Sequence, residues 1–196
     1  MRISPDDWTA SIRVWMRPRK MLTPVISFVG NSGVGKTTLL EKLIAILKAR
    51  GYRVAAIKHD VHEFEVDYPG KDSWRLTRAG SDIVLISSAD KLALIESPEA
   101  ERTLEELVAM VDDRVDIVLT EGYRGASAMK IEVSRAAHSH QITARLDDLL
   151  AIVTDATFDY RVPQFDLDDA AGVADFLEKR FSLAPSAEGL SQKVNL

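Results

Sequence analysis

The fold of this chain is decided by a stretch that reads Val25-Ile26-Ser27-Phe28-Val29-Gly30-Asn31-Ser32-Gly33-Val34-Gly35-Lys36-Thr37. Its first five residues form a short apolar run, which is typical of a buried strand. Residues 30–37 match the pattern G-x-x-x-x-G-K-[ST] in full. A helical pattern follows over about residues 36–50, so the motif stands between a strand and a helix. That context is the one that a phosphate-binding loop requires.

Each part of this motif predicts a contact with a nucleotide. Glycines let the backbone curl around an anion, and the following helix N-terminus adds partial positive charge. We expect Lys36 to reach the β- and γ-phosphates and to act in catalysis, and Thr37 to offer its hydroxyl to Mg²⁺. The predicted nucleotide-binding residues are Gly30, Asn31, Ser32, Gly33, Val34, Gly35, Lys36, Thr37 and Thr38.

Strand and helix patterns alternate after the loop. Strands are predicted at about residues 52–57, 83–86, 92–95, 115–120, 129–133 and 150–154, and helices at 72–79, 98–111 and 167–181, the last capped by Asp166 or Asp168. This order predicts a three-layer α/β fold like that of P-loop NTPases, with a mainly parallel sheet and an antiparallel hairpin at one edge. We expect a poorly ordered N-terminal extension (1–22), one nucleotide-binding domain (23–181) and a flexible tail (182–196).

Composition excludes several classes of protein. The chain has 196 residues, a net charge of −5 and no cysteine, which excludes disulfides, zinc–thiolate sites, iron–sulfur clusters and a cysteine nucleophile. An acidic chain is a poor non-specific binder of nucleic acid. No apolar run approaches the ~18–20 residues that cross a bilayer. We therefore expect a cytoplasmic protein that binds neither nucleic acid nor membrane.

A phosphate-binding loop needs a second acidic group for the metal. Glu121 ends the apolar strand that begins near Val115, and ligands bind at the carboxyl edge of parallel strands. Asp116 stands at the start of the same strand and is expected at the opposite edge. We therefore assign Glu121, with Thr37, to Mg²⁺.

The polar segment after the second strand is expected at the same edge. Asp60 and Asp67 are candidate catalytic residues that orient a water molecule or touch the metal. His59 and His62 have the spacing of a metal pair, but no convincing third ligand is present. His138 and His140 receive no role.

The sequence by itself leaves the nucleotide base open. The guanine-reading motif N-K-x-D is absent, and Asn31 replaces the extra lysine that one class of ATPases carries in this loop. Asp155, just past the strand that ends at Thr154, is the substitute we expect to bind the base.

Residues outside the loop indicate a family. The chain resembles the molybdopterin-guanine dinucleotide biosynthesis protein B family over about residues 25–181, and the resemblance does not extend to residues before Met21. It rests on the loop, on its continuation Leu39-Leu40-Glu41-Lys42-Leu43, and on Ile57-Lys58-His59, Asp67-Tyr68-Pro69-Gly70-Lys71-Asp72-Ser73-Trp74-Arg75, Ala79-Gly80 and Glu121-Gly122-Tyr123. The P-G-K-D-S run is much rarer than a phosphate-binding loop.

The resemblance implies a homodimeric adapter that binds GTP with Mg²⁺ and hydrolyses it weakly. Such an adapter assists the molybdenum cofactor guanylyltransferase, the enzyme that joins GMP to molybdopterin; whether molybdopterin itself binds is left open. It also implies phosphate roles for Gly33, Gly35, Lys36 and Thr37 and functional roles for Asp67 and Lys71. Contact with an anionic substrate or the partner is expected of Lys58, His59, Lys71 and Arg75.

Three other functions stay open from the sequence. A small-molecule kinase would use Lys71 and Arg75 to line an acceptor pocket. A metal-delivery GTPase is disfavoured by the lack of cysteine and by only four histidines. A binding module without turnover would use the hairpin at residues 83–95 as a pairing edge.

Overall fold

The computed structural model describes residues 23–59, 64, 66–138 and 141–185. Within these ranges the chain forms eight strands, four α-helices and one 3-10 turn. In chain order they are β1 (Val25–Val29), α1 (Lys36–Ala49), β2 (Val54–Lys58), α2 (Asp72–Arg78), β3 (Ile83–Ser87), β4 (Leu92–Glu96), α3 (Leu104–Ala109), β5 (Ile117–Glu121), β6 (Met129–Ser134), the 3-10 turn (Leu146–Asp148), β7 (Leu149–Thr154), β8 (Gln164–Phe165) and α4 (Ala170–Phe181). No helix in the described ranges is long and apolar enough to cross a membrane.

Six strands form one parallel sheet in the order β2-β5-β1-β6-β7-β8. The predicted α/β fold is therefore confirmed. Because all six strands run the same way, their carboxyl ends lie along one edge, where parallel sheets bind ligands. This edge carries the residues that end or follow β2, β1, β5, β6 and β7.

The larger core lies between the sheet and the two long helices. Helix α1 packs against α4, and the side chains of Leu39, Leu43 and Leu47 in α1 and of Val173 and Leu177 in α4 are at most 2% exposed. Alternation along a strand sends Phe28 into this core and Val29 to the other face, where a smaller apolar cluster forms. Members of the larger core include Ile26, Phe28, Leu39, Leu43, Leu47, Ile117, Leu119, Ile131, Val153, Val173 and Leu177.

At the opposite edge of the sheet, an ion pair between Arg53 and Asp116 joins the starts of β2 and β5. Asp116 accepts hydrogen bonds from the backbone N–H of Arg53 at 2.8 Å and from its guanidinium at 3.0 Å. The Asp116 N–H in turn donates to the Arg53 carbonyl at 2.8 Å. Asp116 thus lies where β2 and β5 begin, away from the carboxyl edge, as expected from its place in the sequence.

The predicted hairpin forms from β3 and β4, which pair antiparallel. It is a separate two-stranded sheet, however, and among the described residues no hydrogen-bonded ladder joins it to the six-stranded sheet. One hairpin face turns inward at Val84, which is 5% exposed. The other face exposes four large apolar side chains, namely Ile83, Leu85, Leu92 and Leu94.

Several predicted boundaries were wrong. The helix predicted at residues 98–111 is the shorter α3, because a capping box between Thr103 and Glu106 starts it. Helix α4 is capped by Asp169, whose carboxylate accepts the Gly172 N–H, while Asp168 pairs with Lys42. Strand β8 was not predicted, since two residues carry no usable periodicity.

Candidate functional site

The loop between β1 and α1 is held against the neighbouring strand β6. Gly30 has a φ of +139°, and a Cβ atom there would lie 2.1 Å from the Val133 carbonyl oxygen. Gly35, directly before α1, has a φ of +103°. Both conformations are ones that glycine adopts readily, and at Gly30 the close Val133 carbonyl also leaves no room for a Cβ atom.

Lys36 lies beneath this loop. Its ammonium group donates to the carbonyls of Gly30 at 3.2 Å and Asn31 at 2.8 Å. Burial lowers the pKa of Lys36, the charge of Glu121 opposes that shift, and the charge of Arg124 adds to it. Lys36 is thus a partly desolvated cation held against carbonyl oxygens of the loop.

The two residues assigned to Mg²⁺ come together. Thr37 Oγ1 donates to Glu121 Oε2 at 2.8 Å, although 84 residues separate them in the chain. Glu121 is the last residue of β5, and β5 pairs with β1 directly before the loop. The contact exists because β5 inserts between β1 and β2 in the sheet.

His59, which follows β2, supports the end of β5. Its backbone N–H donates to the Glu121 carbonyl at 3.0 Å, and its ring lies 4.8 Å from the ring of Tyr123, centroid to centroid. Nε2 of the same ring lies 2.7 Å from Glu101 Oε1. Burial raises the pKa of Tyr123. Lys58, the last residue of β2, is paired in register with Glu121 and is exposed.

A second cation at the loop was missed by sequence reasoning. Arg124 Nη2 donates to the Gly30 carbonyl at 2.6 Å. Its only signal in the sequence is its position three residues after Glu121, at a strand end already expected to bind ligand. Neither periodicity nor the loop motif predicts that contact.

The segment after β6 forms the other flank of the loop. A Cβ atom on Gly33 would lie 3.3 Å from the ring of His138, and one on Gly35 would lie 3.7 Å from Arg135 Nη2. The His138 backbone N–H donates to the Arg135 carbonyl at 2.8 Å. His138, which received no role from the sequence, therefore lies against the loop.

Asp155 contacts this flank and also lines a cleft. Asp155 Oδ1 accepts the N–H of Ala136 at 2.7 Å. An open cleft of about 480 Å³ adjoins it at the carboxyl ends of β7 and β8, lined by Thr154, Asp155, Ala156, Thr157, Gln164, Phe165 and Asp166.

Other predicted site residues make local contacts at the start of α2. Asp67 Oδ1 accepts the Tyr68 N–H at 2.9 Å, and the Ser73 hydroxyl lowers the pKa of this carboxyl. Lys71 lies over the ring of Tyr68, and Arg75 pairs with Asp72 at 3.4 Å. None of the contacts described for these residues reaches Lys36, Thr37 or Glu121. Asp60, His62 and His140 lie outside the described residues.

The sequence matches a protein family and two named relatives over most of its length. Residues 25–155 match the family model described as molybdopterin guanine dinucleotide synthesis protein B. The molybdopterin-guanine dinucleotide biosynthesis adapter protein of Escherichia coli (strain K12) is 37% identical over 163 residues, covering 81% of this chain and 93% of that protein. The adapter protein of Haemophilus influenzae is 35% identical over 156 residues, covering 79% and 88%.

Solved structures agree in fold. A crystal structure of molybdopterin-guanine biosynthesis protein B is 28% identical, with a TM-score of 0.63 over 80% of this chain and 99% of that one. Bacillus subtilis MobB has a TM-score of 0.67 at 23% identity, over 83% and 99%. The second likeness concerns the fold alone.

Proposed function

The chain belongs to the molybdopterin guanine dinucleotide synthesis protein B family, and from this premise we propose that it is a GTP- and Mg²⁺-binding adapter in making the guanine dinucleotide form of the molybdenum cofactor. The observation that carries the proposal is the contact between Thr37 and Glu121, 2.8 Å apart beside the loop. This contact brings together a hydroxyl from the loop motif and a carboxylate from a distant strand.

The donor set fits magnesium. Thr37 and Glu121 offer a hydroxyl and a carboxylate oxygen, the hard ligands that Mg²⁺ prefers, and the site lies at the sheet edge where phosphates would supply further oxygens. A bound Mg²⁺ neutralises charge on the β- and γ-phosphates. His59 supports the backbone of Glu121 and so helps to position this carboxylate.

The phosphates are the proposed ligands of the loop. Backbone N–H groups of residues 31–37 and the N-terminus of α1 form the anion site, and Lys36 supplies the charge. We expect slow hydrolysis of GTP, with catalysis by positioning and charge neutralisation. Asp60 and Asp67 stay the predicted residues for orienting water, although the described contacts of Asp67 are with α2.

The base is proposed to bind in the cleft beside Asp155. Guanine presents N–H donors on its Watson–Crick edge, and a carboxylate presents only acceptors, so the two are complementary. Asp155 is exposed and lines the cleft. Adenine presents an acceptor at the ring position where guanine carries a donor, so Asp155 favours GTP over ATP.

The adapter role is proposed from the relatives, whose names describe adapter proteins. The proposed partner is the molybdenum cofactor guanylyltransferase in the cytoplasm, and the adapter acts as a homodimer. Lys58, Lys71 and Arg75 are exposed cations suited to an anionic surface or to molybdopterin itself. His59 is less accessible, because its ring contacts Glu101 and Tyr123.

Titration calorimetry with Mg²⁺ and either GTP or ATP tests the proposal. We expect binding of GTP in preference to ATP, and a loss of at least about tenfold in GTP affinity in Lys36→Ala, because charge-assisted hydrogen bonds to phosphate are removed. Lys48→Ala, an exposed lysine in the last turn of α1, is the matched control.

Two results would contradict the assignment. Unchanged GTP affinity in Lys36→Ala would remove the phosphate role of the loop. A preference for ATP would overturn the base assignment and favour a small-molecule kinase.

A further inference from the structure

We propose that Arg124 is a second phosphate-binding cation of this site, supplied by the chain itself, and that it binds the terminal phosphate of a bound triphosphate. The inference rests on the proposed function for the nature of the ligand in the loop. It does not depend on the identity of the base or on the adapter role.

Two cations converge on a single carbonyl oxygen. Arg124 Nη2 donates to the Gly30 carbonyl at 2.6 Å, and Lys36 Nζ donates to the same oxygen at 3.2 Å. Like charges held this close repel each other. The neutral carbonyls of Gly30 and Asn31 do not remove this repulsion, and the charge of Glu121 opposes only part of the effect on Lys36. Such an arrangement is favourable where an anion binds, since the anion lowers the repulsion between the cations.

The electrostatics of Lys36 agree with this geometry. The charge of Arg124 adds to the effect of burial in lowering the pKa of Lys36, against the opposing charge of Glu121. The charges of Lys36 and Arg124 therefore repel each other beside the loop. A phosphate group there would be stabilised by both charges.

Hydrogen bonds with β1 and with Lys130 hold the backbone that carries Arg124. The Gly122 N–H donates to the Phe28 carbonyl at 3.1 Å, which ties the segment to β1. Lys130 is completely buried, and its ammonium group donates to the carbonyls of Ala126 at 2.8 Å and Ala128 at 3.1 Å. A buried lysine requires such partners, and here they fix the loop between Glu121 and β6. These contacts hold the backbone from which the side chain of Arg124 extends, so the residue stays beside the loop before any ligand binds.

The shared carbonyl indicates which phosphate Arg124 binds. The lysine of this motif binds the β- and γ-phosphates, and Arg124 meets Lys36 at Gly30, the first residue of the loop. The side chain of Arg124 is exposed, so it is free to turn from the carbonyl to a ligand. Its planar guanidinium fork matches a phosphate group that offers several free oxygens, as a terminal phosphate does.

The inference is tested by calorimetry on the full chain with GTP, GDP and inorganic triphosphate, each with Mg²⁺. For Arg124→Gln we expect affinity for GTP and for triphosphate to fall by roughly tenfold to a hundredfold, and affinity for GDP by less than about threefold. Arg124→Lys keeps the charge but loses the fork, so it should fall between the wild-type protein and Arg124→Gln.

Arg114→Gln is the matched control. Arg114 is also exposed and also donates to a backbone carbonyl, that of Met110 at 2.6 Å, but it lies near the start of β5 rather than at its end. This variant should bind all three ligands as the wild-type protein does. Thermal unfolding of each variant checks that the fold is intact.

The remaining outcomes are each decisive. Equal losses for GTP and GDP in Arg124→Gln would show that Arg124 makes no contact specific to the terminal phosphate, which would overturn the inference and leave the proposed function intact. Unchanged affinities for all three ligands in Arg124→Gln would also overturn the inference and leave the proposed function intact. A wild-type protein that binds GTP, GDP and triphosphate not at all would overturn both the inference and the proposed function.

Discussion

At the scale of single residues, Gly30 is the most tightly constrained position in the loop. Its φ of +139° disfavours every other residue type, and the place of a Cβ atom lies 2.1 Å from the Val133 carbonyl oxygen. That oxygen belongs to the backbone of β6, so it cannot turn aside as a flexible side chain would. Any substitution of Gly30 must therefore separate β1 from β6.

Gly30→Ala should destabilise the protein much more than Gly80→Ala. Gly80 has a φ of +100°, but no atom of the described residues lies within 4 Å of its Cβ position. We expect about 1–2 kcal/mol from backbone strain in Gly80→Ala, and about 3–5 kcal/mol in Gly30→Ala, where overpacking adds to strain. Urea unfolding of both variants measures the difference, and equal losses would refute the packing argument.

At the scale of elements, the end of α1 is bound to α4 by buried and charged contacts. Arg50, which follows α1, pairs with Asp175 and Glu178 of α4, each at 2.7 Å. Tyr52, between α1 and β2, is 4% exposed and donates its hydroxyl to the Leu183 carbonyl at 3.2 Å. Burial, with the hydrogen bond and charge of Glu178, raises the pKa of Tyr52 from 10.0 to about 12.

This shift predicts a loss of stability at alkaline pH. Because the folded state holds the Tyr52 proton more tightly than the unfolded state does, the contribution is complete below pH 10.0 and is lost as pH rises through about 12. Tyr52→Phe should show a smaller fall in the free energy of unfolding over that window. Denaturant unfolding at several pH values measures it. The same fall in both proteins would contradict the prediction, and Tyr160→Phe, at an exposed tyrosine, serves as control.

At the scale of the whole molecule, the hairpin presents an apolar face that the described residues do not cover. Leu85 is 61% exposed and pairs in register with Leu94, which is 48% exposed. Exposed apolar patches of this kind mark interaction surfaces. We predict that a second copy of the chain buries this face in the proposed homodimer.

Replacing both leucines should therefore produce a monomer. We expect wild-type protein to sediment as a dimer and Leu85→Glu/Leu94→Glu to sediment as a monomer, because two charges would have to be buried without partners. Met110→Glu, at a side chain that is 46% exposed outside the hairpin, should leave the dimer unchanged. A dimeric double variant would place the interface elsewhere, and a monomeric wild-type protein would refute the homodimer.

Local chemistry made part of this protein predictable from its sequence. The loop motif, the apolar run of β1 and the helical period of α1 each lie within a few neighbouring residues, so they predicted a phosphate-binding loop and determined the α/β class. The position of Glu121 at the carboxyl edge of the sheet was predictable because a strand pattern ends at it. The Asp169 cap was missed, because several neighbouring aspartates have the same local propensity and their tertiary partners distinguish them.

Only the tertiary structure decided which distant residues meet at the loop. The sheet order places the ends of β5 and β6 on either side of β1, and this brings Arg124 and His138 to the loop. The described contacts of Asp67 are instead with near neighbours in the chain, Tyr68 and Ser73. The reason is physical: periodicity reports which face of an element is buried, whereas the identity of a neighbour depends on how strands are ordered across the whole sheet.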